Sequence, residues 1–135
     1  MTIYLLDTNA WIEVLRDRNQ GVVEQVASKQ RDEIRLCSVV KAELYFGAFK
    51  KSGRAGNLGL LQDLFTKFNS LPFDDAAAEA CGKLRAELNA KGTPIGPYDL
   101  MIAAIALVNG ATLVTHNISE FSRVDGLSIE DWQED

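Results

Sequence analysis

Asp7, Glu43 and Asp99 are acids in places where a folded core would exclude charge. Asp7 follows directly on the apolar run Ile3–Leu6. In an open parallel sheet, ligands bind beyond the carboxyl ends of the strands, so a strand-end aspartate stands where chemistry is done. It equally stands where it can help cap the helix that follows. Glu43 falls in a helical segment where its neighbours three and four residues away are Val39, Val40, Phe46 and Gly47. That puts a carboxylate in an apolar stripe, and an unpaired buried charge costs several kcal/mol. Gly47, one turn on, leaves open space beside it. Asp99 lies in the first turn of a helix begun by Gly96-Pro97, above Ile102, Ala103 and Ala106. An acid at a positive helix end gains about 0.3–1 kcal/mol, so helix-end stabilisation competes with a functional reading there.

Taken together the three favour chemistry. Each lies at a strand end or in a helix buried beside one, so they can converge in one cleft. Crowded carboxylates raise one another's pKa unless a cation neutralises them. Oxygen ligands without histidine suit Mg²⁺, with Mn²⁺ as a substitute. Such an ion activates water and stabilises an in-line displacement at phosphorus, which points to phosphodiester hydrolysis. The run Thr115-His116-Asn117 with Glu120 adds polar groups at another strand end. Asn117 can orient a metal-bound water or serve as a turn residue. Glu120 can complete the acidic ring or begin a solvated helix. His116, the single histidine, shows no partner carboxylate in the sequence and reads as a strand-end side chain rather than a general base.

Elements that would position these groups follow from the pattern. Ile3–Leu6, Ile34–Cys37 and Thr112–Val114 are short apolar runs ending in polar residues, as expected of strands inside a parallel sheet covered on both faces. Helices are expected over 10–16 with Thr8 or Asn9 as cap, over 39–50, over about 57–68, from Asp74-Asp75 to Lys91-Gly92, and over 98–108. Residues 52–56 are a breaker, Leu71–Phe73 an additional short strand, and Gly110 a left-handed stop. The alternation predicts an α/β fold, a three-layer α/β/α sandwich with a central parallel sheet.

The whole chain is consistent with this. Its 135 residues suit one domain over 1–135, and 47% apolar with 24% charged residues is a globular balance. The longest apolar run, Met101–Val108, is far short of the roughly 20 residues that cross a bilayer, and Asp7 interrupts the only apolar stretch near the N-terminus. The expectation is a cytoplasmic protein without a membrane partner. Cys37 and Cys81 have no paired-ligand spacing and are expected to be buried, reduced thiols. The net charge of −5 argues against a simple phosphate-binding surface. Positive charge is local, at Lys50, Lys51 and Arg54, at Arg16 and Arg18, and at Lys83, Arg85 and Lys91.

Four segments in order, Leu5-Leu6-Asp7-Thr8-Asn9, Ser38 to Gly47, Ile95 to Ala103 and Thr115 to Phe121, resemble the PIN domain in its VapC toxin branch. Arg123 to Leu127 and Glu130-Asp131-Trp132 resemble that branch's ending. The resemblance implies a Mg²⁺-dependent endoribonuclease acting on RNA, often structured RNA such as tRNA. It marks Asp7, Glu43 and Asp99 as the core acids and metal ligands, Asn117 and Glu120 as accessory, and Thr8 and Ser38 as hydroxyls near the site. Either Asn117 or Glu120 takes the fourth position. It further implies a homodimer silenced by a cognate VapB-like antitoxin whose tail lies over the site. An arginine in that tail would grip the acids bidentately.

Two other readings compete. A phosphatase wants a second aspartate two residues after the first, and this chain has Asn9; a receiver wants an acidic pair where this chain has Leu5-Leu6. A PIN fold without catalysis, serving as a scaffold, is opposed by the presence of all three acids. No glycine-rich phosphate turn follows the first strand, which excludes dinucleotide binding.

Overall fold

The computed structural model describes residues 1–50 and 55–134. Among these, five short strands form one sheet: β1 (Tyr4–Leu6), β2 (Ile34–Cys37), β3 (Asn69–Leu71), β4 (Thr112–Val114) and β5 (Ile129–Glu130). Their order is β3-β2-β1-β4-β5 with every neighbouring pair parallel. Helices α1 (Thr8–Leu15), α2 (Gln20–Ser28), α3 (Ser38–Lys50) and α4 (Ala55–Lys67) connect β1, β2 and β3. Helices α5 (Asp75–Ala90) and α6 (Pro97–Val108) return the chain to β4, and α7 (Ile118–Phe121) leads to β5.

The strand order reverses at β1, since the chain moves outward through β2 to β3 and then crosses to β4 on the other side. Right-handed crossovers place helices on opposite faces when the direction changes, which yields the expected sandwich. The reversal opens a crevice between the carboxyl ends of β1 and β4. Asp7 N–H donates to Val114 O at 3.0 Å, so the residue after β1 is tied to the end of β4.

Burial explains the local choices. Leu5, Leu6, Ile34, Leu36 and Leu113 are fully buried, as are Ile102 through Ala106 of α6. Each such aliphatic side chain contributes about 1.5–3 kcal/mol. Gly110 stops α6 with φ +61°, while Gly110 N–H donates to Leu107 O at 3.3 Å and Ala111 N–H to Ala106 O at 2.9 Å.

Several expectations need correction. The cap of α1 is Asp7, not Thr8 or Asn9, because its carboxylate reaches Ala10 N–H. The additional strand lies at Asn69–Leu71 rather than Leu71–Phe73, its first two residues being polar as suits an edge. Helix α2, α7 and strand β5 were not legible in the pattern, being short or weakly periodic. Cys37 is buried as expected, but Cys81 is only partly so. The expected breaker over 52–56 lies partly outside the described residues, as do Lys51 and Arg54.

The C-terminal segment is tied down. Trp132 is buried against Tyr4, with ring centroids 5.2 Å apart, and Lys29 Nζ lies over both rings at 4.9 and 5.0 Å. Asn19 clamps the backbone of Glu134, donating to its carbonyl at 2.8 Å and accepting from its N–H at 3.1 Å. Gly21 is required beneath this segment, since a β-carbon there would collide with the Trp132 carbonyl.

Candidate active site

The crevice between β1 and β4 holds the acids. Asp7 is buried, 5% exposed, and both its oxygens are engaged: Oδ1 accepts from Ala10 N–H at 2.9 Å and Oδ2 from the Thr115 hydroxyl at 2.6 Å. One carboxylate thus caps α1 and ties it to the residue that follows β4. Thr115, 1% exposed, also accepts from Asn117 N–H at 3.0 Å, which turns the chain out of β4. Thr8, the first residue of α1, donates from its hydroxyl to Glu43 Oε1 at 2.7 Å. Glu43 is half-buried on α3. Gly47 beside it has open space, and both line a cleft of about 210 Å³ with Ile12, Arg16, Leu44 and Leu60.

On the other side of the crevice, Asp99 and Glu120 pair. Glu120 Oε1 accepts from Gly96 N–H at 2.9 Å and Oε2 from the Asn117 amide at 2.6 Å. A β-carbon on Gly96 would meet Glu120 Oε1 at 3.8 Å and Asp99 Oδ2 at 3.9 Å, ordinary contact distances, so it is the backbone N–H of Gly96 that holds Glu120. Asn117 and Glu120, the two candidates for the fourth position, are thus hydrogen-bonded to one another.

Electrostatics connect the two sides. Asp99 is pushed up to about 7 by burial first, then by the Glu120 charge and hydrogen bond, then by Asp7 and Glu43. Burial also raises Asp7, partly offset by Thr115 and Ala10, with Glu43 and Asp131 adding to the rise. The Cys37 thiol is pushed to about 11, mainly by burial, with Glu43 contributing, so it is an inert neighbour. Carboxylates that hold one another's protons suit an oxygen-ligated divalent cation, which removes the repulsion. Among the described residues no three His, Cys, Asp or Glu side chains stand at coordinating geometry. The reason is visible in the bonds above, for Asp7, Glu43 and Glu120 are each drawn to protein donors.

The expected site residues thus separate into groups. Asp7, Thr8, Glu43 and Thr115 form a hydrogen-bonded corner, and Asp99, Asn117 and Glu120 form a second. Ser38 opens α3 and is exposed, outside the hydrogen-bonded acids among the described residues. His116 does have a carboxylate partner, contrary to expectation: its Nδ1 lies 3.0 Å from Asp131 Oδ2. The pairing was hidden because β4–β5 register, not sequence spacing, creates it. Trp11 on α1 is wholly buried, whereas Phe49 on α3 is 65% exposed. Of the basic groups, Arg18 is paired with Glu13 at 2.6 Å and Lys91 with Asp125 at 2.9 Å.

Comparison with known proteins bears on this arrangement. Residues 4–127 match the PIN domain family. The chain is 37% identical over 134 residues to a tRNA(fMet)-specific endonuclease VapC from Salmonella typhimurium, covering 98% of this chain and 99% of the relative. It is 35% identical to ribonuclease VapC2 from Rickettsia felis, covering 96% and 98%. Its fold matches a crystal structure of DNA-bound VapBC from Salmonella typhimurium with a TM-score of 0.90 at 36% identity, covering 98% and 99%. It also matches VapBC2 from Rickettsia felis bound to a promoter DNA fragment, with a TM-score of 0.86 at 33% identity, covering 98% and 100%.

Proposed function

The chain belongs to the PIN-domain family, in its VapC ribonuclease branch, and from that premise we propose that it is the toxin of a VapBC pair, a divalent-metal-dependent endoribonuclease neutralised by a VapB antitoxin. The observation that carries this reading is the convergence of Asp7, Glu43 and Glu120 on Asp99 at the strand-order reversal, where burial and their charges push Asp99 up to about 7. Asp7, Glu43 and Asp99 would hold the ion, with Mg²⁺ preferred and Mn²⁺ able to replace it. Bound there, the ion would supply activation of water and neutralisation of charge at the scissile phosphate. Thr115 and Ala10 orient Asp7, Thr8 orients Glu43, and Asn117 with Gly96 orients Glu120. Glu120 completes the acidic ring through Asp99.

Structured RNA is the proposed substrate class, tRNA included, since the Salmonella relative is named for tRNA(fMet). The cleft running from Glu43 along Gly47 and Leu60 is the proposed seat of the antitoxin tail. Glu43 lines it, so a tail arginine there would meet that carboxylate rather than open solvent. The exposed Phe46 and Phe49 of α3 are offered for the homodimer or the antitoxin contact. Action as one domain over 1–135 in the cytoplasm fits this role, and no helix among the described residues is long and apolar enough to cross a membrane. The competing reading is a PIN fold without catalysis that serves as a scaffold.

Cleavage of a total small-RNA pool decides between them, with Mg²⁺, Mn²⁺ or chelator and with Asp7→Asn as control. Discrete metal-dependent fragments that vanish in the variant are expected. Metal binding without cleavage would favour the scaffold.

A further inference from the structure

The ribonuclease site leaves one oriented functional group unused. His116 follows Thr115, whose hydroxyl holds Asp7, so its Cα lies about 3.8 Å from that of a site residue. Thr115 is 1% exposed, whereas the His116 side chain is 55% exposed, so the histidine faces solvent one residue away from the hydroxyl that holds Asp7. Backbone on both sides of it is fixed. Thr115 N–H donates to Glu130 O at 3.0 Å, and Asn117 N–H donates to Thr115 Oγ1 at 3.0 Å.

The partner carboxylate is equally constrained. Asp131 follows β5, whose Glu130 pairs with Val114 of β4. Its Oδ1 accepts from Gln133 N–H at 3.0 Å, while Oδ2 faces His116 Nδ1 at 3.0 Å. Buried Trp132, whose indole N–H donates to Glu130 at 2.9 Å, locks the segment that carries it. Asp131 is also close enough for its charge to act on Asp7. An exposed pair of this kind adds little to fold stability. Stability therefore gives little reason to hold an imidazole so tightly.

A carboxylate only accepts hydrogen bonds, so it holds the proton of neutral imidazole on Nδ1 and leaves Nε2 as an acceptor. Nε2 has no protein partner among the described residues. An acceptor one residue from the partner of Asp7 would face a polynucleotide whose phosphate lay over Asp7. The one donor on that polymer's backbone is the ribose 2′-hydroxyl, which also distinguishes RNA from DNA.

We propose that His116, oriented by Asp131, accepts a hydrogen bond from a ribose 2′-hydroxyl next to the scissile phosphate and so selects RNA over DNA. The proposal rests on the ribonuclease reading above. The test uses an RNA hairpin copying a cleaved site and a set of copies, each with a single 2′-deoxy substitution around the scissile bond. kcat/KM is measured with Mg²⁺ for wild type, His116→Ala, His116→Phe and Asp131→Ala, with thermal unfolding of each. At one position, deoxy substitution is expected to lower wild-type kcat/KM by roughly two- to tenfold, the scale of one neutral hydrogen bond. That penalty should vanish in His116→Ala and shrink in Asp131→Ala, without a matching change in Tm. Equal penalties in wild type and His116→Ala, or no penalty at any position in wild type, would overturn it. If the alanine variant does not fold, His116→Phe, which keeps a ring but offers no acceptor, decides: loss of the penalty supports the proposal and an unchanged penalty defeats it. A wild-type protein that cuts no RNA would sink the ribonuclease reading itself, a result distinct from RNA cleavage that ignores every 2′-hydroxyl.

Discussion

The two corners of the acid site are held by opposite means. At the β1–β4 corner, Asp7 is buried and both oxygens accept from neutral donors, a backbone N–H and a threonine hydroxyl. At the α6–α7 corner, Asp99 is half-buried and its nearest neighbour is another acid, so it retains a proton to about 7. The first corner is preorganised before any cation arrives, because its donors lie in secondary structure that forms regardless. The second is assembled from like charges and would gain its working protonation state from a cation. The contrast separates residues that build the site from residues that respond to its occupant.

The sharpest way to break this contrast is Asp7→Asn. The amide keeps an acceptor for Ala10 N–H but removes a charge that burial opposes. Cleavage is expected to fall by about a hundredfold or more, while the Tm of the metal-free protein rises. A loss of both activity and Tm would mean that the ionised carboxylate stabilises the fold, contrary to its raised pKa.

A second, smaller effect probes the other corner through pH. Asp99 has a folded pKa of about 7 against an ordinary 3.8, so between these values the folded state binds more protons than the unfolded one. Stability then falls as pH rises through this window. Thermal unfolding in chelator should show Tm decreasing from pH 5 to pH 7.5. Asp99→Asn should flatten this dependence, and added Mg²⁺ should flatten it as well. A slope that survives both changes would assign it to other groups.

The smallest expected effect comes from Thr8→Val, which removes the hydroxyl that orients Glu43. One partly buried hydrogen bond is worth about 1 kcal/mol. A Tm drop of a few degrees is expected with a several-fold loss of kcat, and KM for RNA should change less. If KM carries the loss instead, Thr8 contacts RNA directly rather than through Glu43.

Much of this was legible before any fold was known, and the exceptions are informative. Ile34–Cys37 and Thr112–Val114 read correctly as strands because a parallel sheet covered on both faces demands unbroken apolar runs. The edge elements failed for the converse reason. β3 begins Asn69-Ser70 and β5 spans only Ile129–Glu130, and neither carries a core signal. The environment of Trp11 was not legible either, because an apolar residue on a short helix looks the same whether it faces core or solvent. In the fold it packs on Phe68 at 5.1 Å between ring centroids.

The sequence by itself determined the acids, the order of the central elements and the chemistry that three misplaced carboxylates can do. Burial cost is a property of residue type and local periodicity, so an acid on an apolar face is visible without coordinates. Only tertiary structure decided who holds whom: Thr115 on Asp7 across 108 positions, Thr8 on Glu43 across 35, Asp131 on His116 across 15. Hydrogen bonds are short-ranged and directional, and strand register rather than sequence spacing brings such partners together.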